Sequence, residues 1–351
     1  LERFEAVPAH APRWRVAHLS DLHMVGEPYG FRLESGRSGP RGNERAEAAL
    51  ARVGAVHDAA PLDLVLVTGD MTDAGRSGEW AAFLDALERH PALAARTLVL
   101  PGNHDVNVVD RANPARLDLP TSPAKRLRQM RALSMLAAVQ GERVHVVDAA
   151  RGTLGPTLAA FLEPHAARIR AFADTGARRH AAGLGELWDD VFPLVAPPAV
   201  AAGLGVAILN SNAETHFSFT NALGLVPVRQ ADRLAAVLTA WPEARWIVAL
   251  HHHLVEYPKP VHALSERIGT VLVNGSWFVR RLQRHQERLV AMHGHRHLDW
   301  IGRSGGLRIV SAPSPVMTPG PPGFYVHTLG AGPDGGLALL PPERVVVPQA
   351  G

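Results

Sequence analysis

The sequence predicts an α/β fold with a helical insertion and an all-β tail. Three observations lead there. Short apolar runs of the buried-strand kind alternate with helical faces up to about residue 110 and again after about residue 202. That rhythm breaks between residues 110 and 202, where helical faces follow one another amid many arginines and prolines. From about residue 298 the apolar runs become short and closely spaced, as strands in hairpins do.

Taken in order, residues 14–20 read as a strand and residues 43–58 as a helix with Asn43 as its candidate cap. Residues 62–68 are a short apolar run of the buried-strand kind. Trp80, Phe83, Leu84 and Leu87 fall on one helical face, and residues 96–100 read as the next strand. In the insertion, Leu127, Met130 and Leu133, then Phe161, Ile169 and Phe172, then Leu187, Trp188 and Val191 mark helices. Strands are expected at 204–209, 245–250 and 289–292, with helices at 227–239 (proline first) and 276–285 between them. The tail reads as strands at 298–301, 307–310 and 324–329, and near Leu337 and Val345. One domain spanning residues 1–351 is expected, carrying a mainly helical insertion at about 110–202.

Composition narrows the chemistry. With 46% hydrophobic and 20% charged residues the chain is globular in character rather than disordered. There is no cysteine, so disulfides and thiolate metal sites are excluded, and any metal must be held by His, Asp, Glu, Asn or backbone oxygen. The net charge is only +3, and Lys125 and Lys259 are the only lysines. The basic character comes from arginine and is weak support for nucleic-acid binding. Residues 191–209 are uncharged for about the length of a membrane span. Three prolines and two glycines inside that stretch favour a loop feeding a buried strand. No membrane span is expected, and a cytoplasmic location is.

The chain holds 19 histidines, and their clustering carries more than their number. Five strand ends carry the chemistry. They are Asp21-Leu22-His23, Gly69-Asp70-Met71-Thr72-Asp73, Gly102-Asn103-His104-Asp105, His251-His252-His253 and Gly294-His295-Arg296-His297. Loops that follow parallel strands converge on one edge of the sheet. Their carboxylates, amide and imidazoles suit Mn, Fe or Zn. An Asp-x-His pair lets one loop offer two ligands, and Gly69 and Gly102 let the backbone come close.

The order Asp-x-His, Gly-Asp, Gly-Asn-His-Asp, His, Gly-His-x-His resembles that of the calcineurin-like metallophosphoesterases, and it spans Asp21 to His297. The Gly69–Gly75 block and the triple histidine are most similar to the bacterial class III cyclic-nucleotide phosphodiesterase branch, as is the run from Gly224 through Gln230 to Leu238. The resemblance implies a four-layer α/β/β/α sandwich of two mixed sheets. It implies two metal ions: Asp21, His23 and His297 on the first, Asn103, His251 and His295 on the second, and Asp70 bridging them. His104 would be the general acid or transition-state stabiliser. The branch usually has Pro where Leu254 stands, which leaves His251 and His252 as alternative ligands; His251, directly after its strand, is favoured. Paired ions roughly 3.5–4 Å apart acidify a bound water and clamp phosphoryl oxygens. The implied reaction is attack of a metal-bound hydroxide on a phosphate ester, with a phosphodiester as the leading substrate class and a nucleotide within it.

Other readings compete. A nuclease of the same superfamily would need a continuous basic groove, and the modest net charge disfavours it. A phosphomonoesterase needs the same site, and an inert protein-binding scaffold would have lost ligands, none of which is missing. His90, His145, His165, His180 and His285 read as surface or helix-face residues, while His216 and His262 lie in loops near the chemical edge. Asp73 and Asp105 read as supports or caps. Gly302–Gly306 matches a nucleophile-elbow string but sits between two strands and reads as a hairpin turn. The insertion arginines Arg126, Arg128, Arg131, Arg168, Arg170, Arg178 and Arg179 read as a solvated helix face, with a wall for an anionic substrate as the alternative.

Overall fold

The computed structural model describes residues 4–5, 7–27, 32, 42–110, 112–119, 121–148, 151–257, 270–317 and 321–348. The first third runs β1 (Arg13–Leu19), α1 (Glu44–Ala59), β2 (Leu64–Val67), α2 (Ser77–Glu88), α3 (Pro91–Ala94), β3 (Thr97–Val99) and the one-turn α4 (Asn103–Val106). Then come α5 (Pro123–Gln140), β4 (His145–Asp148), β5 (Thr153–Thr157), α6 (Leu158–Leu162), α7 (Ala166–Thr175), α8 (Arg178–Ala181), α9 (Leu184–Val191) and β6 (Leu194–Ala196). The last part is β7 (Leu204–Ile208), α10 (Val228–Ala240), β8 (Arg245–Ala249), α11 (Gly275–Leu282), β9 (Leu289–His293), β10 (Trp300–Ser304), β11 (Leu307–Ser311), β12 (Gly323–Ala331), β13 (Leu337–Leu339) and β14 (Glu343–Val346).

These strands form two mixed sheets. One has the order β13-β12-β1-β2-β3, with β14 also on β12; β1, β2 and β3 are parallel and β12 is antiparallel to β1. The other has eight strands in the order β10-β11-β9-β8-β7-β6-β4-β5, parallel from β11 through β7. The apolar β2 run, Leu-Val-Leu-Val, is buried throughout because both of its faces are covered.

Side-chain alternation along the second sheet shows how the layers stack. Ile247, Ala249, Val290, Met292 and Val310 join the main core, which also takes Val65, Leu66 and Val67 of β2 and Trp80 and Phe83 of α2. Their neighbours Trp246, Val248, Leu289, Ala291 and Ile309 point the other way, against Leu234 and Leu238 of α10 and Phe278 and Val279 of α11. The fold is therefore a four-layer α/β/β/α sandwich. Burying alternate faces against different partners is what period-two side-chain alternation permits.

Two local expectations change. Asn43 makes no side-chain cap. Its amide pairs with both backbone groups of Val25, at 2.8 Å each, and ties the start of α1 to the loop after β1. The 110–202 stretch holds helices α5 to α9 but also strands β4, β5 and β6, which extend the second sheet antiparallel beyond β7. Within residues 191–209, β6 and β7 replace any membrane helix, and no helix among the described residues is long and apolar enough to cross a membrane. Gly305, at φ +61°, makes the β10–β11 turn.

Candidate metal centre

The loops after β1, β2 and β3 are laced together beyond the sheet's edge. Asp21 N donates to Gly69 O (3.0 Å), His23 N to Asp70 O (2.9 Å) and Met24 N to Met71 O (2.8 Å). The second sheet meets them there: His295 N donates to Asp21 Oδ2 (3.0 Å), and Gly294 N to His251 O (3.1 Å). The site thus lies where the carboxyl ends of the two sheets adjoin.

All seven expected ligands and His104 come to this place. His251 Nε2 lies 3.1 Å from Asn103 Oδ1, 3.3 Å from Asp70 Oδ2 and 3.1 Å from His295 Nδ1. His297 Nε2 lies 3.3 Å from Asp21 Oδ1 and 3.4 Å from His23 Nε2. Three groupings with metal-ligand spacing emerge from this geometry: Asp21/His23/His297, Asp70/His251/His295 and His23/Asp73/His104.

The imidazole tautomers test the fit. A carbonyl only accepts, so the ring nitrogen facing it carries the proton. His251 Nδ1 donates to Thr68 O (2.8 Å) and His295 Nε2 to Thr270 O (3.2 Å). Each therefore turns a lone pair toward the other, and toward the oxygens of Asn103 and Asp70. His23 Nδ1 faces Asp73 Oδ1 at 3.5 Å, leaving Nε2 to face His297. Asp21 Oδ1 is buried with no hydrogen-bond partner. Converging lone pairs repel unless a cation sits among them. Separations of 3.1–3.4 Å match the edge of a tetrahedron with metal–nitrogen bonds of about 2.0–2.1 Å. The residues fit metal ions, with the far side of each ring held in the manner of metal-binding histidines.

Electrostatics agree. Burial is the largest single influence on His251 and lowers its pKa, but the Asp70 and Asp21 carboxylates and the Thr68 carbonyl together outweigh it and raise it to about 9. Burial alone would raise Asp21, yet His297 and other imidazoles hold its carboxyl well below the usual range. The clusters favour positive charge at their centres.

Backbone strain marks the same residues. The non-glycine residues with left-handed φ among the described residues are Asp21 (56°), His23 (45°), Asp70 (51°), His295 (75°) and His297 (52°). Each such residue costs about 1–2 kcal/mol, and such strain collects at functional sites. Glycine is needed at Gly102, where a Cβ would lie 2.0 Å from Asp70 Oδ1, and at Gly69 (φ +100°), where it would lie 2.4 Å from His251 Nδ1.

His104 belongs to the third of these groupings, beside His23 and Asp73. Its Nδ1 donates to Asp73 O (2.7 Å), and its ring meets the His23 ring edge-on at 4.6 Å. Asp73 therefore orients two histidines, His23 with its carboxylate and His104 with its carbonyl. Asp105 accepts from Thr72 N (2.9 Å), Thr72 Oγ1 (2.7 Å) and Gly102 N (2.8 Å), clamping the β2 and β3 loops together. Burial and the charge of Asp70 push its carboxyl up to about 7.

The two histidine alternatives separate. His251 joins Asp70, Asn103 and His295, whereas His252 Nδ1 pairs with Ser211 Oγ (2.9 Å) and its ring packs on His295. His216 is exposed on a neighbouring ribbon, and His262 lies outside the described residues. The insertion arginines act as braces: Arg128 Nε donates to Val106 O (3.0 Å) and its guanidinium pairs with Asp118, while Arg126 pairs with Glu214 at 3.6 Å. Arg170 and Arg179 are exposed. Sequence reasoning missed Arg32, which is fully buried and donates from Nε to His23 O (2.9 Å).

The fold and this site define a dinuclear-type metallophosphoesterase. The calcineurin-like phosphoesterase family model matches residues 15–299, and the chain belongs to that family. A dimetal phosphatase from Danio rerio shares its fold at a TM-score of 0.53, with 12% identity over 95% of this chain and 99% of that one. A candidate 5′-nucleotidase from Staphylococcus aureus aligns at 0.50, with 12% identity over 97% of this chain and 55% of that one. Comparison with curated protein sequences finds no match.

Proposed function

We propose that this chain is a binuclear phosphoesterase that prefers phosphodiesters. The observation that carries the metal-dependent reading is the convergence of the His23, His251, His295 and His297 ring nitrogens with Asp21, Asp70 and Asn103 oxygens in adjoining clusters. The diester preference rests on the resemblance of the Gly69–Gly75 block and the triple histidine to the diesterase branch.

In this reading Asp21, His23 and His297 hold one ion, Asn103, His251 and His295 the other, and Asp70 both. When bound, the ions supply an activated water and neutralise the phosphoryl oxygens. The chain's own residues do the rest. Asp73 and Arg32 hold the His23 loop, and Asp105 locks Thr72 and Gly102 so that Asp70 and Asn103 stay in register. His104, oriented through Nδ1, would give a proton to, or hydrogen-bond, the leaving oxygen.

The test is hydrolysis by protein stripped of metal and then reconstituted with Mn²⁺, Fe or Zn²⁺, on an aryl phosphodiester, an aryl phosphomonoester and single-stranded DNA. Activity on the diester that vanishes on chelation is expected. Equal activity with and without metal, or none on any phosphate ester, contradicts the reading.

A further inference from the structure

A short ribbon beside the metal centre carries exposed aromatic rings that no part of the mechanism uses. Ser218 N donates to Arg116 O (3.1 Å), Phe219 N to Pro114 O (3.0 Å) and Asp118 N to His216 O (2.7 Å), so residues 114–118 and 216–219 run as an antiparallel pair. Phe217 and Phe219 stack on each other, with centroids 5.5 Å apart and planes 17° from parallel. They are 39% and 61% exposed, and Leu117 and Leu119 across the ribbon are 54% and 50% exposed. Four large apolar side chains on one short ribbon are costly to leave in water and mark a binding surface.

The ribbon is fastened to the site at two points. On one side Asn107, which closes the turn begun by Asn103, donates from Nδ2 to Asn221 O (2.7 Å), and Asp110 N donates to Ser218 Oγ (2.8 Å). On the other, Gly224 lies so close to His252 that a Cβ there would be 2.5 Å from its Cγ, and the His252 ring packs 4.5 Å from that of His295. The aromatic pair thus stands on a frame braced, through Asn107, to the turn that begins at Asn103 and, through Gly224, to the histidine packed on His295. Among the described residues its arginines are paired: Arg116 faces Asp110 (3.3 Å), Arg126 faces Glu214 (3.6 Å) and Arg128 pairs with Asp118. A polyanion would need a surplus of cations along this surface, whereas a single uncharged ring needs only a π face.

We infer that Phe217 and Phe219 form a stacking platform for a planar aromatic ring, such as a nucleobase, carried by the ester whose phosphate sits at the metal centre. The inference rests on the phosphoesterase reading and names the part of the substrate that reading leaves open. Stacking is sequence-tolerant because every base presents a π face, so the platform favours an ester that carries a base over one that does not, without selecting among bases.

Two measurements test it. Thymidine 5′-p-nitrophenyl phosphate and methyl p-nitrophenyl phosphate share a leaving group and differ in the ring. The Phe217→Ala/Phe219→Ala variant should lower the ratio of their kcat/KM values, thymidine over methyl, on the order of 10-fold to 100-fold. An unchanged ratio, whether both activities persist or fall together, overturns the platform. The second measurement does not depend on turnover: metal-loaded Phe219→Trp protein titrated with adenosine should show saturable quenching absent from wild type and absent with ribose. No quenching overturns the inference, as does quenching by a single-stranded oligonucleotide alone. A wild type that cleaves neither ester defeats the reading of the metal centre, and the titration still decides the platform.

Discussion

Replacing His104 by alanine separates metal binding from proton transfer. The link between this position and the metal cluster is made by the main chain: His104 N donates to Asp70 Oδ1 at 2.8 Å whatever the side chain. In the proposed mechanism the ring serves the chemistry instead, oriented by Nδ1 on Asp73 O. His104→Ala should therefore keep its metals while kcat falls by about 10²–10⁴, the range for a general acid–base group. At 1.36 kcal/mol per decade that is about 3–5 kcal/mol of barrier. Losing the ring also leaves the Asp73 carbonyl without its donor, at about 1–3 kcal/mol of stability if no water replaces it. The variant should thus melt somewhat lower yet remain folded. The assay pairs metal analysis of the purified protein with kcat across esters of rising leaving-group pKa. The deficit should widen as the leaving group worsens, because poor leaving groups most need the proton. A metal-depleted variant, or rates unchanged on the poorest leaving group, would refute the assignment.

Other outcomes follow from the same geometry. The kcat/KM of Mn²⁺-loaded protein should be higher on an aryl phosphodiester than on the matching monoester; a clear excess on the monoester removes the diester preference and leaves the metal centre standing. Asp105→Ala strips the acceptor from Thr72 N, Thr72 Oγ1 and Gly102 N, and at about 1–3 kcal/mol per buried orphan it should lower chemical-denaturation stability by several kcal/mol and weaken metal affinity; a shift below about 1 kcal/mol argues against the clamp. Burial lowers the His327 pKa to about 4, so the folded chain binds fewer protons there than the unfolded one. Its contribution is complete above pH ~6.5 and is lost as pH falls toward 4, by about 3 kcal/mol. In metal-free protein His327→Gln should flatten that acid-side loss, and an unchanged slope contradicts it.

The chemistry was easier to read from the sequence than the frame that holds it. Coordination restricts residue type, so Asp-x-His, Gly-Asp, Gly-Asn-His-Asp and Gly-His-x-His stand out without any knowledge of contacts. The strand preceding each was legible because β2, β8 and β9 are buried apolar runs. Strands β4 to β6 were not, because they lie among helices α5 to α9 and acquire strand form by pairing at the edge beyond β7. Arg32 was hidden for another reason: its role is a hydrogen bond to the His23 carbonyl, and a backbone acceptor leaves no signature in the sequence. Asn43 has the residue type of a cap and sits at the right place for one, yet Val25 offers both a donor and an acceptor and outcompetes the helix end. The left-handed backbone at five of the seven proposed ligands could not be foreseen position by position either: Asp and His are enriched in that conformation, yet only a small minority of them adopt it.

The central claim is that Asp70 serves two metal ions at once, and metal stoichiometry with anomalous diffraction tests it most directly. Crystals of the wild-type protein grown with Mn²⁺ should show two anomalous peaks roughly 3.5–4 Å apart, one among Asp21, His23 and His297, the other among Asn103, His251 and His295, with a carboxylate oxygen of Asp70 reaching each. Asp70→Ala, which leaves two cations facing each other without a shared anion, should bind at most one ion per chain in solution. A single peak in the wild type, or two ions retained by Asp70→Ala at wild-type affinity, would contradict the account.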